Sequence, residues 1–201
     1  MQNPNAISRR DLIKQSSLLA GAAAFALTKV PAVRAADGPL KAGLVGCGGR
    51  GTQAVVDLLT GNEQVELAAM ADVFEDHLEQ SLARLRDPKF TSHYAGITVE
   101  RNGQPRQMTA EDLTASIAPR IRVTPDHHFT GFDAYRKLLA SDIDIVMLCT
   151  PPGFRPLHFE AAVEARKHVF TEKPIATDPV GARGFIATGK LAAERRDHKA
   201  R

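Results

Sequence analysis

Cysteine is scarce in this chain. Cys47 and Cys149 are the only two, too few for a disulfide framework or a thiolate metal site. Histidine does not replace them: the adjacent pair His127-His128 has no third ligand in a metal-binding spacing, and no metal is expected. Aromatic residues make up 5% of the sequence, and no basic stripe is interleaved with them, so a nucleic-acid-binding surface has no support. Long apolar runs are missing as well. The uncharged Ala/Leu-rich run from Gln15 to Thr28 falls short of the roughly 20 residues that span a bilayer. There is no internal repeat and no low-complexity tract. What remains is 201 residues with 43% hydrophobic and 24% charged content, the balance of one soluble folded domain.

The positive charge is local. Of 26 basic residues five lie within residues 1–35, against one of 23 acidic ones, which leaves 21 against 22 and a net charge of −1 in the rest. Ser8-Arg9-Arg10-Asp11-Leu12-Ile13-Lys14 resembles the twin-arginine export motif, the uncharged run follows it, and Val33-Arg34-Ala35 supplies residues suited to the −3 and −1 positions of a signal-peptidase site. Residues 1–35 are therefore read as a signal peptide recognised by the twin-arginine export machinery, with a periplasmic or membrane-tethered destination. Such cargo folds in a reducing compartment, so Cys47 and Cys149 are expected as free thiols.

From Leu40 onward strands and helices alternate. Leu40–Val45 reads as a buried strand, and Thr52–Leu59 as a helix with Val55, Leu58 and Leu59 at helical spacing. Val65–Ala71 is a second strand ending at Asp72, and Glu75–Arg86 a helix with Leu78, Leu82 and Leu85 on one face. Residues 89–119 break the rhythm and read as an insertion. In it Ile97-Thr98-Val99 and Gln107-Met108 flank an Asn102-Gly103 turn, and a short helix opens after Thr109 as N-cap. A strand within Arg120–Phe129, a helix over Asp133–Ala140, a strand over Asp144–Thr150, a helix over Pro156–Arg166, a strand over His168–Thr171 and a helix started by Asp178-Pro179 complete the series. The alternation predicts a doubly wound parallel α/β sheet over residues 40–190, of the Rossmann type, with 191–201 as a charged tail.

Gly46-Cys47-Gly48-Gly49-Arg50-Gly51 lies between the first strand and the first helix, and Asp72 closes the second strand 21 residues beyond Gly51. That context defines a dinucleotide fingerprint. Gly46 allows the tight turn, Gly48 lets the backbone approach a pyrophosphate, and Gly51 lets helix and strand pack closely, while the helix N-terminus offers N–H groups to phosphate. Asp72 would accept from the adenosine ribose hydroxyls and repel a 2′-phosphate, and Val73-Phe74 brings no arginine to hold one, so NAD is favoured over NADP. Arg50 is either a phosphate contact or a loop charge. S-adenosylmethionine enzymes usually carry an acidic residue just before their glycine loop, where Lys41-Ala42 stands here; a flavin remains open from the loop alone.

Asp144–Thr150, Pro151, His158 and His168-Val169-Phe170-Thr171-Glu172-Lys173-Pro174 resemble the Gfo/Idh/MocA family of oxidoreductases, over about Leu40–Arg183. The resemblance implies an NAD-dependent oxidoreductase acting on a sugar or polyol. It implies that Lys173 sits where nicotinamide meets substrate, that Glu172, Thr150 and Pro151 lie along the cofactor, and that His158 occupies a family position either catalytic or structural. An ammonium at Lys173 suits the chemistry, since it can hold a carbinol oxygen as its charge develops. The family continues into a second α/β substrate domain, so the chain is expected to be a truncated member without a complete active site of its own; a homo-oligomer is left open for the full-length form. The alternatives are an NAD-dependent glycoside hydrolase of the same fold and a non-catalytic nucleotide-binding fragment.

Overall fold

In a computed structural model, residues 38–91, 96, 98–101 and 104–199 are described. Residues 1–35, read above as a signal peptide, Ile97, and Asn102-Gly103, read above as a turn, lie outside the described residues. Strand β1 spans Leu40–Val45 and leads through the glycine loop into helix α1, Gly49–Gly61; β2 is Val65–Asp72, and α2 is Glu75–Leu85. A four-residue helix α3 (Pro88–Thr91) precedes the strands β3 (Thr98–Arg101) and β4 (Gln104–Gln107), and α4 covers Ala110–Ile117. The rest of the chain supplies β5 (His128–Thr130), α5 (Ala134–Ala140), β6 (Ile145–Leu148), α6 (Arg155–Glu164), β7 (His168–Thr171) and α7 (Pro179–Lys199).

Five strands form one parallel sheet in the order β5-β2-β1-β6-β7. The chain leaves β1 toward β2 on one side and returns to β6 on the other, so the order reverses between β1 and β6. In such sheets ligands bind at that switch point, beyond the carboxyl ends of the strands. The doubly wound class expected from the alternation is the one observed.

Alternation along the strands builds two apolar layers. Ala42, Leu44 and Met147 face one side, where Val55, Val56 and Leu59 of α1, Leu78 and Leu85 of α2, and Ile117 of α4 cover them. Val45, Val146 and Leu148 face the other, against Ala134, Tyr135, Leu138 and Leu139 of α5 and Ala162 of α6. Strand β2 changes parity midway. Leu67 pairs with Ala42 but Ala69 pairs with Gly43, leaving one extra residue in β2, so Val65 and Leu67 join the first layer while Ala69 and Ala71 join the second. Sequence alternation alone puts all four on one face; the bulge re-aims the end of the strand, where Asp72 sits.

Several boundaries move for visible reasons. Helix α1 begins at Gly49 rather than Thr52, because both the amide and the hydroxyl of Thr52 return to the Gly48 carbonyl, at 3.0 and 2.9 Å. The glycine loop is thus its own first turn. Strand β6 is shorter than Asp144–Thr150 because the Asp144 carboxylate takes the Lys41 N–H at 2.8 Å. β3 and β4 pair antiparallel, Arg101 opposite Gln104, and Thr109 caps α4 in a capping box with Asp112. Arg120 ties the sequel of α4 to the end of α1, donating to the Leu59 and Asn62 carbonyls at 2.6 and 2.7 Å. Beyond residue 190 the charged segment continues α7 as helix to Lys199, a continuity that the lack of a further strand signal did not reveal.

Candidate functional site: a cleft at the switch point

The first shaping element is the glycine loop. Gly46 has φ +95°, and a Cβ there would lie 2.7 Å from the Thr150 amide nitrogen; one on Gly51 would lie 1.9 Å from the Gly46 carbonyl oxygen. These two glycines are demanded by the protein itself: the loop folds against the end of β6, and α1 presses on the loop. Gly48 and Gly49 differ, since a Cβ on either meets nothing within 4 Å. Nothing in the fold fills that space, and a bare backbone over open space is what a dinucleotide pyrophosphate requires. No side chain caps α1, and its first turn holds no acidic residue, so the amides of Gly49, Arg50 and Gly51 lack intrahelical acceptors and face outward with the positive end of the helix dipole.

Beside this loop lies a cleft of about 790 Å³, within the roughly 300–1,000 Å³ range of small-molecule sites. It brings together Gly46, Gly48, Arg50, Gly51, Asp72, Thr150, Pro151 and His158. Gly49, Glu172 and Lys173 are not on its walls. The dinucleotide fits this donor set: open backbone for the phosphates, a helix start pointing at them, and a carboxylate at the end of β2 for a ribose.

Asp72 has its side chain 10% exposed. One carboxylate oxygen accepts from the Cys47 amide at 2.6 Å and the other from the Phe74 amide at 3.0 Å, with His77 Nδ1 3.5 Å away. The residue therefore has a second task that sequence reasoning missed, holding the glycine loop down, and its remaining lone pairs stay available for hydroxyl donors. Arg50 reaches Glu172 with Nη2 at 2.5 Å and Nε at 2.6 Å, and Asp57 with Nη1 at 3.2 Å. That bond to Arg50 holds the Glu172 carboxyl below the usual range. So Glu172 is joined through Arg50 to the phosphate loop, and Lys173 follows it as an exposed side chain.

His158 is buried at the base of the cleft. Its Nδ1 lies 3.2 Å from the Thr150 hydroxyl, with Tyr135 and Phe154 ring centroids at 4.2 and 5.9 Å. Burial, helped by the Arg136 charge, pushes its pKa down to about 4. At neutral pH the ring is uncharged and orients Thr150. The shift has a consequence for stability. The unfolded chain takes up the imidazole proton near pH 6.5 and the folded chain only near 4, so the contribution is full above the upper value and is lost as pH falls through the window. Acidification across it is expected to destabilise the native chain by up to about 3 kcal/mol more than His158→Gln, measured by urea unfolding. Parallel pH profiles for the two proteins would contradict this.

Burial, joined by the Glu172 charge, raises the Cys149 thiol to about 11, and Cys47 is pushed higher by burial and the Asp72 charge. Both thiols are free and inert as nucleophiles near neutrality. Among the described residues no cluster of three or more His, Cys, Asp or Glu is placed to hold a metal, and no helix is long and apolar enough to cross a membrane. His127 instead bonds the Thr124 hydroxyl at 2.9 Å.

The fold also brings residues to the cleft that reading along the chain overlooked: Phe74, His77, Phe132, Tyr135, Arg136 and Arg155. Arg136 matters for cofactor choice, because local sequence offers no cation after Asp72 while α5 brings one to the cleft. Arg155 left a trace in the sequence. It opens α6, where a cation opposes the helix dipole, and it is nevertheless 5% exposed.

A glycine-loop cleft at the switch point of a doubly wound sheet defines a dinucleotide-binding Rossmann domain. The family model for the Gfo/Idh/MocA oxidoreductases, "Oxidoreductase family, NAD-binding Rossmann fold", matches residues 40–195. The chain belongs to that family. Among individual proteins, the "Uncharacterized oxidoreductase YrbE" of Bacillus subtilis (strain 168) is 37% identical over 62 residues, which are 29% of this chain and 18% of that protein. Scyllo-inositol dehydrogenase from Lactobacillus casei, solved with NAD(H) and scyllo-inositol, superposes with a TM-score of 0.50 at 21% identity, covering 78% of this chain and 34% of its own. The WlbA dehydrogenase from Bordetella pertussis, solved with NADH and UDP-GlcNAcA, gives 0.51 at 19% identity, covering 79% and 34%. At these identities the superpositions speak for the fold. The chain spans 34% of the length of these two solved relatives.

Proposed function

We propose that this domain binds NAD in the cleft and, within the full-length protein, serves the oxidation of a carbinol on a sugar or polyol. The observation that carries the reading is the open space over Gly48 and Gly49, backed by Asp72, which lines the cleft and holds the Cys47 amide of the same loop. Bound there, NAD supplies a hydride acceptor. As the carbinol hydride passes to NAD and the hydroxyl proton to water, the ammonium of Lys173 would hold the carbinol oxygen and the negative charge that develops on it. Thr150, kept in place by His158, Pro151 and Glu172 lie along the cofactor. The Asp72 carboxylate accepts from the ribose hydroxyls and disfavours the 2′-phosphate of NADP. The substrate class follows the small polyol and the sugar nucleotide in the two solved relatives. In the full-length protein, NAD reduction across a panel of sugars and polyols is expected to fall about 10²–10⁴-fold in kcat in Lys173→Ala. Turnover unchanged by that substitution would refute the role of Lys173.

We further propose export through the twin-arginine pathway, supported by the motif around Arg9-Arg10. Replacing both by lysine is expected to leave a folded protein in the cytoplasm, seen by fractionation; periplasmic yield equal to that of the parent chain would contradict it.

A further inference from the structure

Lys173 lies in a short turn between β7 and α7, and two guanidinium groups on different helices grip the residues on either side of it. Before it, Glu172 is bonded by Arg50 from α1. After it, the Pro174 carbonyl accepts from Nη1 of Arg155, the first residue of α6. The turn itself is level with the cleft: Leu148 pairs with Thr171 in the last register of β6 and β7, and the Glu172 amide donates to the Leu148 carbonyl at 3.1 Å. Two residues past that register, Lys173 stands beside the stretch that carries Thr150.

Arg155 is an expensive choice for a simple loop tie. The residue is 5% exposed, and taking a charge out of water costs several kcal/mol unless its hydrogen bonds are made. Among the described residues its Nε has no hydrogen-bond partner, and its charge acts at a distance on the Glu172 carboxyl, which it helps Arg50 hold low. A merely structural tie to one carbonyl needs no cation; a neutral donor such as a backbone amide provides it. The guanidinium is also on the cleft wall together with Thr150 and His158, so the group that grips the turn is in contact with the space where the cofactor is read to lie.

We propose that Arg155 is a positioning residue for Lys173, holding the Pro174 carbonyl so that, with Glu172 fixed by Arg50, the ammonium is presented to the cleft in one orientation. The inference rests on the reading of Lys173 as the group that meets the substrate. It makes the cleft and the lysine turn parts of one unit: what settles against Arg155 in the cleft bears on where Lys173 points.

The test follows the Lys173 side chain itself. The chain is reductively methylated with ¹³C-formaldehyde, and the dimethyl-lysine resonance of Lys173 is assigned by its loss in Lys173→Arg. In the unmodified sequence this resonance is expected apart from those of the other exposed lysines, and to shift on addition of NAD. In Arg155→Met, which has no donor, it is expected to move onto the exposed-lysine signals and to lose most of its response to NAD, while Arg155→Lys, which still donates to a carbonyl, restores most of both. A Lys173 resonance in Arg155→Met identical to that of the parent chain, with and without NAD, would overturn the inference. If NAD leaves the parent spectrum unchanged, the cofactor reading fails, but the displacement seen without NAD still decides the role of Arg155. A second measurement covers a variant that does not fold. In the parent chain the Arg155 Nη nitrogens are expected as separate resonances, because one donates to Pro174; a single averaged signal would equally overturn the proposal.

Discussion

Gly51→Ala is expected to destabilise the domain by roughly 3 kcal/mol and to abolish dinucleotide binding, while Gly48→Ala leaves stability within about 0.5 kcal/mol and still removes most of the binding. Both change one hydrogen to a methyl group in the same loop. They differ in what the methyl meets. On Gly51 it would stand 1.9 Å from the carbonyl oxygen of Gly46, and neither partner can step aside. Gly46 is held by its own φ of +95° and by the end of β6 behind it, and α1 is locked to the first apolar layer through Val55, Val56 and Leu59. On Gly48 the methyl enters space that no described protein atom occupies. Only a ligand pressed against the loop would be affected, by tenfold or more in affinity, or about 1.4 kcal/mol. Chemical denaturation beside calorimetric titration separates the two effects. Equal stability losses in both variants would contradict the assignment of Gly48 to the ligand.

Asp72→Ala is expected to weaken NAD binding by roughly tenfold or more, since a hydrogen bond to a charged acceptor contributes about 1.5–3 kcal/mol, and to narrow the preference over NADP. The affinity loss by itself is ambiguous, because Asp72 also holds the Cys47 amide at 2.6 Å and so shapes the phosphate loop. The ratio between the two cofactors is not. Both share the pyrophosphate, so damage to the loop weakens both alike, and only the contact at the adenosine ribose changes the ratio. Arg136, which also lines the cleft, remains to favour the 2′-phosphate once the opposing carboxylate is gone. Calorimetry with NAD and NADP on both proteins gives the ratio; one unchanged by Asp72→Ala would place the ribose elsewhere.

The core strands of the parallel sheet were legible because they are short, largely apolar and bounded by turn residues: Leu40–Val45 and His168–Thr171 stand where the pattern puts them. Their order follows from alternation with helices. The glycine loop was legible for the same reason, as its residues serve needs of backbone shape that few other residues meet. What escaped depends on contacts distant in sequence. The bulge in β2 arises from its register with β1, which no periodicity within β2 reports. The double duty of Asp72 needs Cys47, 25 positions away, and the link from Arg50 to Glu172 crosses 122. Arg136 and Arg155 reach the cleft only because α5 and α6 flank the switch point. A residue-type search for acids, histidines and glycines sees the loop and the lysine turn but not the arginines that join them.

The central claim is that the space over the glycine loop is a dinucleotide site, and amide resonances of the chain labelled with ¹⁵N-glycine test it most directly. On titration with NAD the signals of Gly46, Gly48 and Gly51, which line the cleft, are expected to shift together and saturably, while those of Gly61, Gly184 and Gly189, which do not, stay still. Shifts spread evenly over all the glycines, or none in the loop at saturating NAD, would contradict the account.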